Sequence, residues 1–328
     1  MEKREFCIYC NAMQEYTDKR IKQICILKDE EYEFVVTRPI CKKCGEDLGL
    51  PNYIDLNRDE VFRQYRDLKD LVQIEDINNL MNLYDLGKLS LSRVLDFGDI
   101  TVTRYLEGQI PSKTYSKKIK KALASPTYML RSIKDSRDKL SAVAYEKAIK
   151  AAEALVSEFA ISSKMLGAIA VITDCLGEIT PMALQKLLYY SDGLFAAKCN
   201  RPMFADVCEA WKLGPVYHET YRMIKCLPSD IKLDAKYSII KSNACALSDD
   251  EESIIRLVAN TFGKYSALTL SSITHKELPW KNARIGYEDG EWSNESINKQ
   301  TMETYFADVD KKFGINQAGL DRYIKSML

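Results

Sequence analysis

Apolar positions follow two different periods along the chain. Residues 20–36 (RIKQICILKDEEYEFVV) form two β-rich runs around the polar group Lys28-Asp29-Glu30-Glu31, a pattern that predicts a hairpin. From about residue 60 the period becomes helical, with Phe62, Tyr65, Leu68 and Leu71 on one face. Three short helices are predicted next, over 76–86, 89–97 and 100–107. Each is stopped by a glycine, Gly87, Gly98 or Gly108, and Asp99 is placed to cap the third. Residues 138–158 are rich in alanine, lysine, glutamate and leucine and lack proline and glycine, so they predict a continuous helix. Its Val143, Ala144, Ala148, Ala151 and Leu155 recur at helical spacing and are expected to pack against another surface, such as a second copy of the chain.

The remainder is mostly helical in pattern. A helix over 165–176 ends at Gly177. Thr180-Pro181 caps another, whose Leu184, Leu187, Leu188, Ser191 and Phe195 share a face. Residues 204–213 are mixed and contribute a short strand, Gly214-Pro215-Val216 reads as a turn, and a helix carrying Tyr221 and Ile224 follows. Ser248-Asp249-Asp250-Glu251 is a capping box opening a helix with Ile254, Leu257, Val258, Thr261 and Phe262 inward and a stop at Gly263. A polar loop over 286–298 and closing helices over 301–313 and 317–328 complete the reading. The predicted fold is mainly α, with a small β-containing element near the start.

A chain of 328 residues with 46% apolar and 29% charged residues has the make-up of a folded protein of two or three domains. Lysine plus arginine equals aspartate plus glutamate at 47 each, so any basic surface for nucleic acid must be local. The first ten residues, MEKREFCIYC, lack the apolar core of a secretion signal, and the longest apolar stretch, 165–173, is about half of the ~20 residues a membrane-spanning helix needs. A cytoplasmic protein without a membrane partner is expected. There, ten cysteines point to metal binding and buried packing rather than disulfides.

Four of the ten are arranged as Cys7-x-x-Cys10 and Cys41-x-x-Cys44, about thirty residues apart and flanking the predicted hairpin. Two residues between cysteines fold into a knuckle that points both thiolates at one ion, and two knuckles close a tetrahedral shell. One structural zinc ion per chain, in a zinc ribbon, is expected. Four cysteines leave no position for a reactive water, so a catalytic role is not. Gly45 suits the positive φ of such a knuckle, and Lys3, Lys42 and Lys43 are placed to offset its negative charge. Cys25, Cys175, Cys199, Cys208, Cys226 and Cys245 are expected as buried packing.

The short, glycine-punctuated helices predict a helix-turn-helix with 100–107 as its recognition helix. Arg104 is the candidate base contact, since its guanidinium can pair with guanine O6 and N7. Thr101 and Thr103 are candidates for bases or phosphates. Behind Pro111, Lys113, Lys117, Lys118, Lys120, Lys121, Arg131, Lys134, Arg137 and Lys139 are opposed only by Asp135 and Asp138, and this run is a candidate phosphate-binding surface. The string Thr103-Arg104-Tyr105-Leu106-Glu107-Gly108 with Pro111, placed after the ribbon, resembles the N-terminal half of MqsA-type antitoxins. That resemblance implies zinc on Cys7, Cys10, Cys41 and Cys44 and binding of operator DNA by a dimer. In this chain Leu106 follows the tyrosine where the family usually has an acidic residue.

A second resemblance rests on Leu184-Gln185-Lys186-Leu187-Leu188-Tyr189-Tyr190, Glu209-Ala210-Trp211-Lys212-Leu213-Gly214-Pro215-Val216-Tyr217, Tyr221, Thr274-His275 and Pro279-Trp280. These resemble the Panacea domain, also called SocA-like or GepA-like, over roughly 165–283, and imply a domain that binds and neutralises a protein toxin encoded nearby. Trp211, Lys212, Tyr217, His218 and Tyr221 are candidate toxin contacts, although Trp211 and Trp280 are expected first as core. The expected division is a zinc ribbon over 1–59, a helix-turn-helix with basic extension over 60–137, a linking helix over 138–163 and a Panacea-like domain over 164–328. The competing reading is a zinc-containing transcriptional regulator or proteolytic adaptor with a different partner. An enzyme is not expected. Only His218 and His275 could serve a thiolate such as Cys208 or Cys226, and no nucleophile signature, phosphate loop or dinucleotide fingerprint is present.

Overall fold

The computed structural model describes residues 3–225, 227, 232, 234–288 and 290–328. The chain is mainly helical with a small antiparallel sheet near its start, and forms two compact units: Met1–Asn78 with Gly87–Lys120, and Asn79–Leu86 with Lys121–Leu328. Cys226 lies outside the described residues.

The first unit opens with β1 (Arg4–Cys7), β2 (Ala12–Leu27) and β3 (Glu30–Cys41), paired in that order. The hairpin is longer than its sequence pattern indicated. It turns through Lys28 and Asp29 alone, both at positive φ (52° and 65°), a two-residue turn whose twist matches that of the strands. Register runs from Leu27 opposite Glu30 to Tyr16 opposite Cys41, while Cys7 pairs with Ala12, so both cysteine knuckles meet at the open end.

Helix α1 (Pro51–Leu68) begins at a proline, nine residues before the expected start near residue 60. The apolar pattern there is weak because much of the first half of the helix faces solvent. Phe34 and Val36 of β3 form a core with Val61, Tyr65 and Leu71. Two side-chain amides complete this docking. Gln64 bonds both N–H and C=O of Val35 (2.9 and 2.8 Å), and Asn57 does the same for Thr37 (2.8 and 2.9 Å). They satisfy backbone groups that an edge strand would otherwise leave open.

Then come α2 (Ile74–Leu83), α3 (Lys88–Val94), α4 (Thr101–Leu106) and α5 (Lys113–Ala124). Leu91, Val94, Val102 and Tyr105 are buried, and Phe97 stacks on Tyr115 at 4.2 Å. Asp99 does not cap α4. Its carboxylate binds Arg93 at 3.0 Å, and the orphan N–H of Val102 is taken instead by Ser92 Oγ from α3 at 3.2 Å.

In the second unit the basic run continues into α6 (Pro126–Asp135), capped by Ser125. Helix α7 (Ala142–Glu158) starts four residues later than expected, at the cap Ser141. It buries Ala148, Ala152 and Leu155, packs against α6, and leaves Val143 exposed. After α8 (Ser163–Leu176), the helix α9 (Pro181–Cys199) is buried at every residue from Leu184 to Ala196. A helix buried all round has neighbours on every side. Those include α8, the hairpin β4 (Cys208–Trp211) and β5 (Gly214–Tyr217), α10 (His218–Lys225), and, beyond α11 (Tyr237–Ser242), α12 (Asp249–Phe262) and α13 (Ala267–Thr274). Past α14 (Leu278–Ala283), α15 (Lys299–Phe313) lies along α9, and α16 (Gln317–Met327) closes the fold. Gly193 makes the α9–α15 approach possible, since a Cβ there would stand 2.2 Å from the Phe306 ring. The capping box at Ser248 and Glu251 is formed. Among the described residues no single helix is long and apolar enough to cross a membrane, and α7 and α8 meet at a bend of 81°.

Candidate functional site

At the open end of the first hairpin the sulfurs of Cys7, Cys10, Cys41 and Cys44 all lie within 4.8 Å of one another. Cys7 to Cys44 is 3.6 Å and Cys10 to Cys41 is 4.0 Å. Sulfurs about 2.3 Å from a tetrahedral ion stand about 3.8 Å apart, so the donors fit such an ion. The second knuckle is shaped by Gly45, at φ 81°, whose N–H donates to Cys41 O at 2.9 Å. Backbone amides of Cys44 and Lys43 pull the Cys41 thiol down to about 7, whereas burial pushes Cys10 up to about 12. A cation held among the sulfurs favours the thiolate form of all four. The cluster can therefore hold a metal ion. Lys3 and Lys42, expected to offset its charge, are engaged with carboxylates instead, Lys3 with Asp18 (2.5 Å) and Lys42 with Glu15 (3.0 Å).

On α4, Arg104 is exposed, Thr101 and Thr103 are half-buried, and Val102 and Tyr105 hold the opposite face in the core. On α5, Lys113 and Lys117 are exposed, and Lys118 lies over the Phe97 ring at 5.6 Å. Helix α4 is short, at six residues, so about one turn and a half carries Thr101, Thr103 and Arg104.

In the second unit, polar residues of α9 tie down the β4–β5 hairpin. Gln185 Oε1 accepts from Tyr217 N at 2.8 Å, and Lys186 Nζ donates to Pro215 O at 3.0 Å. Asp192 Oδ1 accepts from the amides of Met203 (2.8 Å) and Phe204 (3.3 Å), while its Oδ2 accepts from Tyr217 Oη (2.8 Å) and Lys299 Nζ (2.5 Å). Gly214-Pro215-Val216 is thus strand rather than turn, and the hairpin turns at Lys212-Leu213. Gly214 must be glycine. Its φ is 100°, and a Cβ would meet Thr274 Oγ1 at 2.7 Å and Lys186 Cε at 2.8 Å. Burial lowers the Lys186 amine to about 7 and raises the Glu277 carboxyl to about 7, where Glu277 Oε1 accepts from Tyr190 (3.0 Å) and Tyr323 (2.6 Å). These groups were missed as a network in sequence. The available signal was a lysine inside an otherwise apolar run, LQKLLYY, and an aspartate one turn and a half farther on.

Trp211 is half-buried at the centre of an aromatic group formed by His218 (5.6 Å), Tyr221 (5.4 Å) and Trp292 (4.8 Å between ring centres). Glu209 orients it, accepting from the indole N–H at 2.6 Å and lying 3.9 Å from His218 Nδ1. Trp292, 61% exposed and within the region read as a polar loop, was not foreseen. Lys212 and His218 are exposed, but Tyr217 is only 1% exposed. Its hydroxyl is committed to Asp192, so among the expected surface contacts Tyr217 is corrected to core. Trp280 donates to Trp211 O at 2.9 Å and stacks on His275 at 4.1 Å. Cys208 is fully buried and its thiol is pushed up to about 12 by burial, the reverse of what a nucleophile beside His218 requires.

The hairpin and the helices around it fall in a stretch that is similar to a known family model. Residues 184–281 match the model described as "Antitoxin SocA-like, Panacea domain". The chain is also similar to Antitoxin SocA of Caulobacter vibrioides (strain NA1000 / CB15N), at 32% identity over 109 residues covering 31% of this chain. That stretch spans 58% of the relative's length. No solved structure matches.

Proposed function

We propose that the chain is an antitoxin: its second unit binds and neutralises a protein toxin encoded nearby, and its first unit binds DNA and represses the shared operon. The observation that carries this reading is the coincidence of the Panacea match with an α9–hairpin scaffold that displays Trp211, Tyr221, His218 and Trp292 beside Lys212. A rigid mount for partly exposed aromatic rings is what a protein-binding face needs, because such rings fill a partner's pockets at low entropic cost. The buried motif residues Gln185, Lys186 and Tyr217 build the mount rather than touch the partner.

In the first unit, Cys7, Cys10, Cys41 and Cys44 hold one structural zinc ion, an assignment supported by four soft donors at tetrahedral spacing. Arg104, Thr101 and Thr103 face the operator from α4, with Lys113, Lys117 and Lys118 toward its phosphates. A dimer in the reducing cytoplasm supplies the paired helices that a two-fold operator requires. This DNA reading rests on residue type and exposure.

The test is growth. The reading frame beside this gene is induced alone and together with the full chain. Arrest relieved by co-expression supports the antitoxin reading, and absence of arrest or of rescue rejects it in favour of a regulator or adaptor with another partner.

A further inference from the structure

At the β4–β5 turn lies a groove of about 570 Å³ lined by residues of the turn and of α14. Among the described residues its charged lining is mostly basic. Lys212 and Lys281 are exposed at its mouth, and Arg284 is set into the wall. Among the described residues none of these three has a carboxylate within ion-pair distance. Arg284 is 6% exposed and fixed by backbone carbonyls, donating to Ala210 O (3.1 Å), Glu288 O (3.4 Å) and Glu291 O (2.6 Å), with its guanidinium 5.0 Å from the Trp280 ring. Carbonyls satisfy its donors without cancelling its charge, so a buried positive charge accompanies two exposed ones. Among the described residues the one carboxylate side chain lining the groove is that of Glu288, which is exposed.

Apolar side chains flank these cations in sequence. Leu213 follows Lys212, while Leu278 and Ile285 bracket α14, and all three are exposed. Uncompensated cations with an aromatic wall and exposed aliphatic neighbours have the make-up of a site for a protein carboxylate, whose pairing with such charges sets orientation and association rate. We infer that this groove receives an acidic segment of the partner protein, with Lys212 and Lys281 pairing its carboxylates beside Trp280. The inference rests on reading the second unit as the partner-binding one, and it adds the partner's chemistry: a negatively charged segment adjoining the surface that meets the aromatic group.

The experiment measures binding of a fluorescein-labelled hexaglutamate peptide to the full chain by anisotropy at low salt. Hexaglutamate is expected to bind, to weaken as salt rises, and to lose about tenfold in affinity in Lys212→Glu/Lys281→Glu. The control Lys198→Glu/Lys264→Glu makes the same charge change at exposed lysines outside the groove and is expected to keep binding. No binding, or equal loss in both variants, overturns the proposal. Inorganic tripolyphosphate that binds tighter than the peptide, with the same dependence on Lys212 and Lys281, assigns the groove to a small free anion and overturns it as well. No toxin is needed for this readout. A negative peptide result alongside intact growth rescue therefore rejects the groove alone, while a harmless neighbouring gene rejects the antitoxin reading alone.

Discussion

Lys186 Nζ donates to Pro215 O across 3.0 Å inside a fully buried site, joining the central helix to the second strand of the hairpin. Burial lowers this amine to about 7, against 10.5 for a free lysine. Between those values the unfolded chain holds a proton that the folded chain lacks, so folding stability rises with pH from about 7 toward 10.5. Lys186→Met removes the titrating group and is expected to flatten that rise. It also strands a buried carbonyl, at a cost of about 1–3 kcal/mol above pH 9. Urea midpoints at pH 7 and 9.5 for both proteins check the slope.

Glu277 gives the opposite slope in a lower window. Burial raises its carboxyl to about 7 from 4.5, so between these values the folded chain holds the extra proton and stability falls as pH rises. Glu277→Gln keeps an oxygen acceptor for Tyr190 and Tyr323 and is expected to remove the fall. Midpoints at pH 5 and 7 read it, and an unchanged slope in the variant contradicts the assignment.

The cysteine cluster predicts a metal requirement confined to the first unit. Native mass spectrometry is expected to find one zinc per chain, and chelation or Cys41→Ala to expose the amides of β2 and β3 to hydrogen exchange while those of α9 stay protected. Protection of the hairpin that survives complete metal removal contradicts a structural role.

If α4 reads bases, Arg104→Ala is expected to cost about 1–3 kcal/mol of operator affinity and to relax sequence preference. Lys117→Ala is expected to weaken all sequences alike and to lower the salt slope by about one. Gel shifts at two salt concentrations separate the two effects.

What could be read in the sequence was what depends on local spacing. Cys7, Cys10, Cys41 and Cys44 stated their geometry because a knuckle is a four-residue object, and the cap at Thr180 and the box at Ser248 were legible for the same reason. The start of α1 was hidden, because its early turns face solvent and its docking depends on two amides, Asn57 and Gln64, that no apolar period reveals. Asp99 looked like a cap until Arg93 and Ser92, distant by six or more positions, divided its role between them. Tyr217 looked like a contact because a large amphipathic ring can anchor an interface as readily as a core. Only the fold brings Asp192 to its hydroxyl. Trp292 lay in a segment whose polar neighbours disguised a ring that packs on Trp211.

The central claim is that the hairpin face binds and neutralises a toxin, and isothermal titration of the purified full chain with the protein encoded beside it tests this most directly. The expected result is a saturable complex that weakens at least about tenfold in Trp211→Ala and in Trp292→Ala, with both variants still folded by circular dichroism. A titration without binding, or binding that neither substitution changes, would contradict the account.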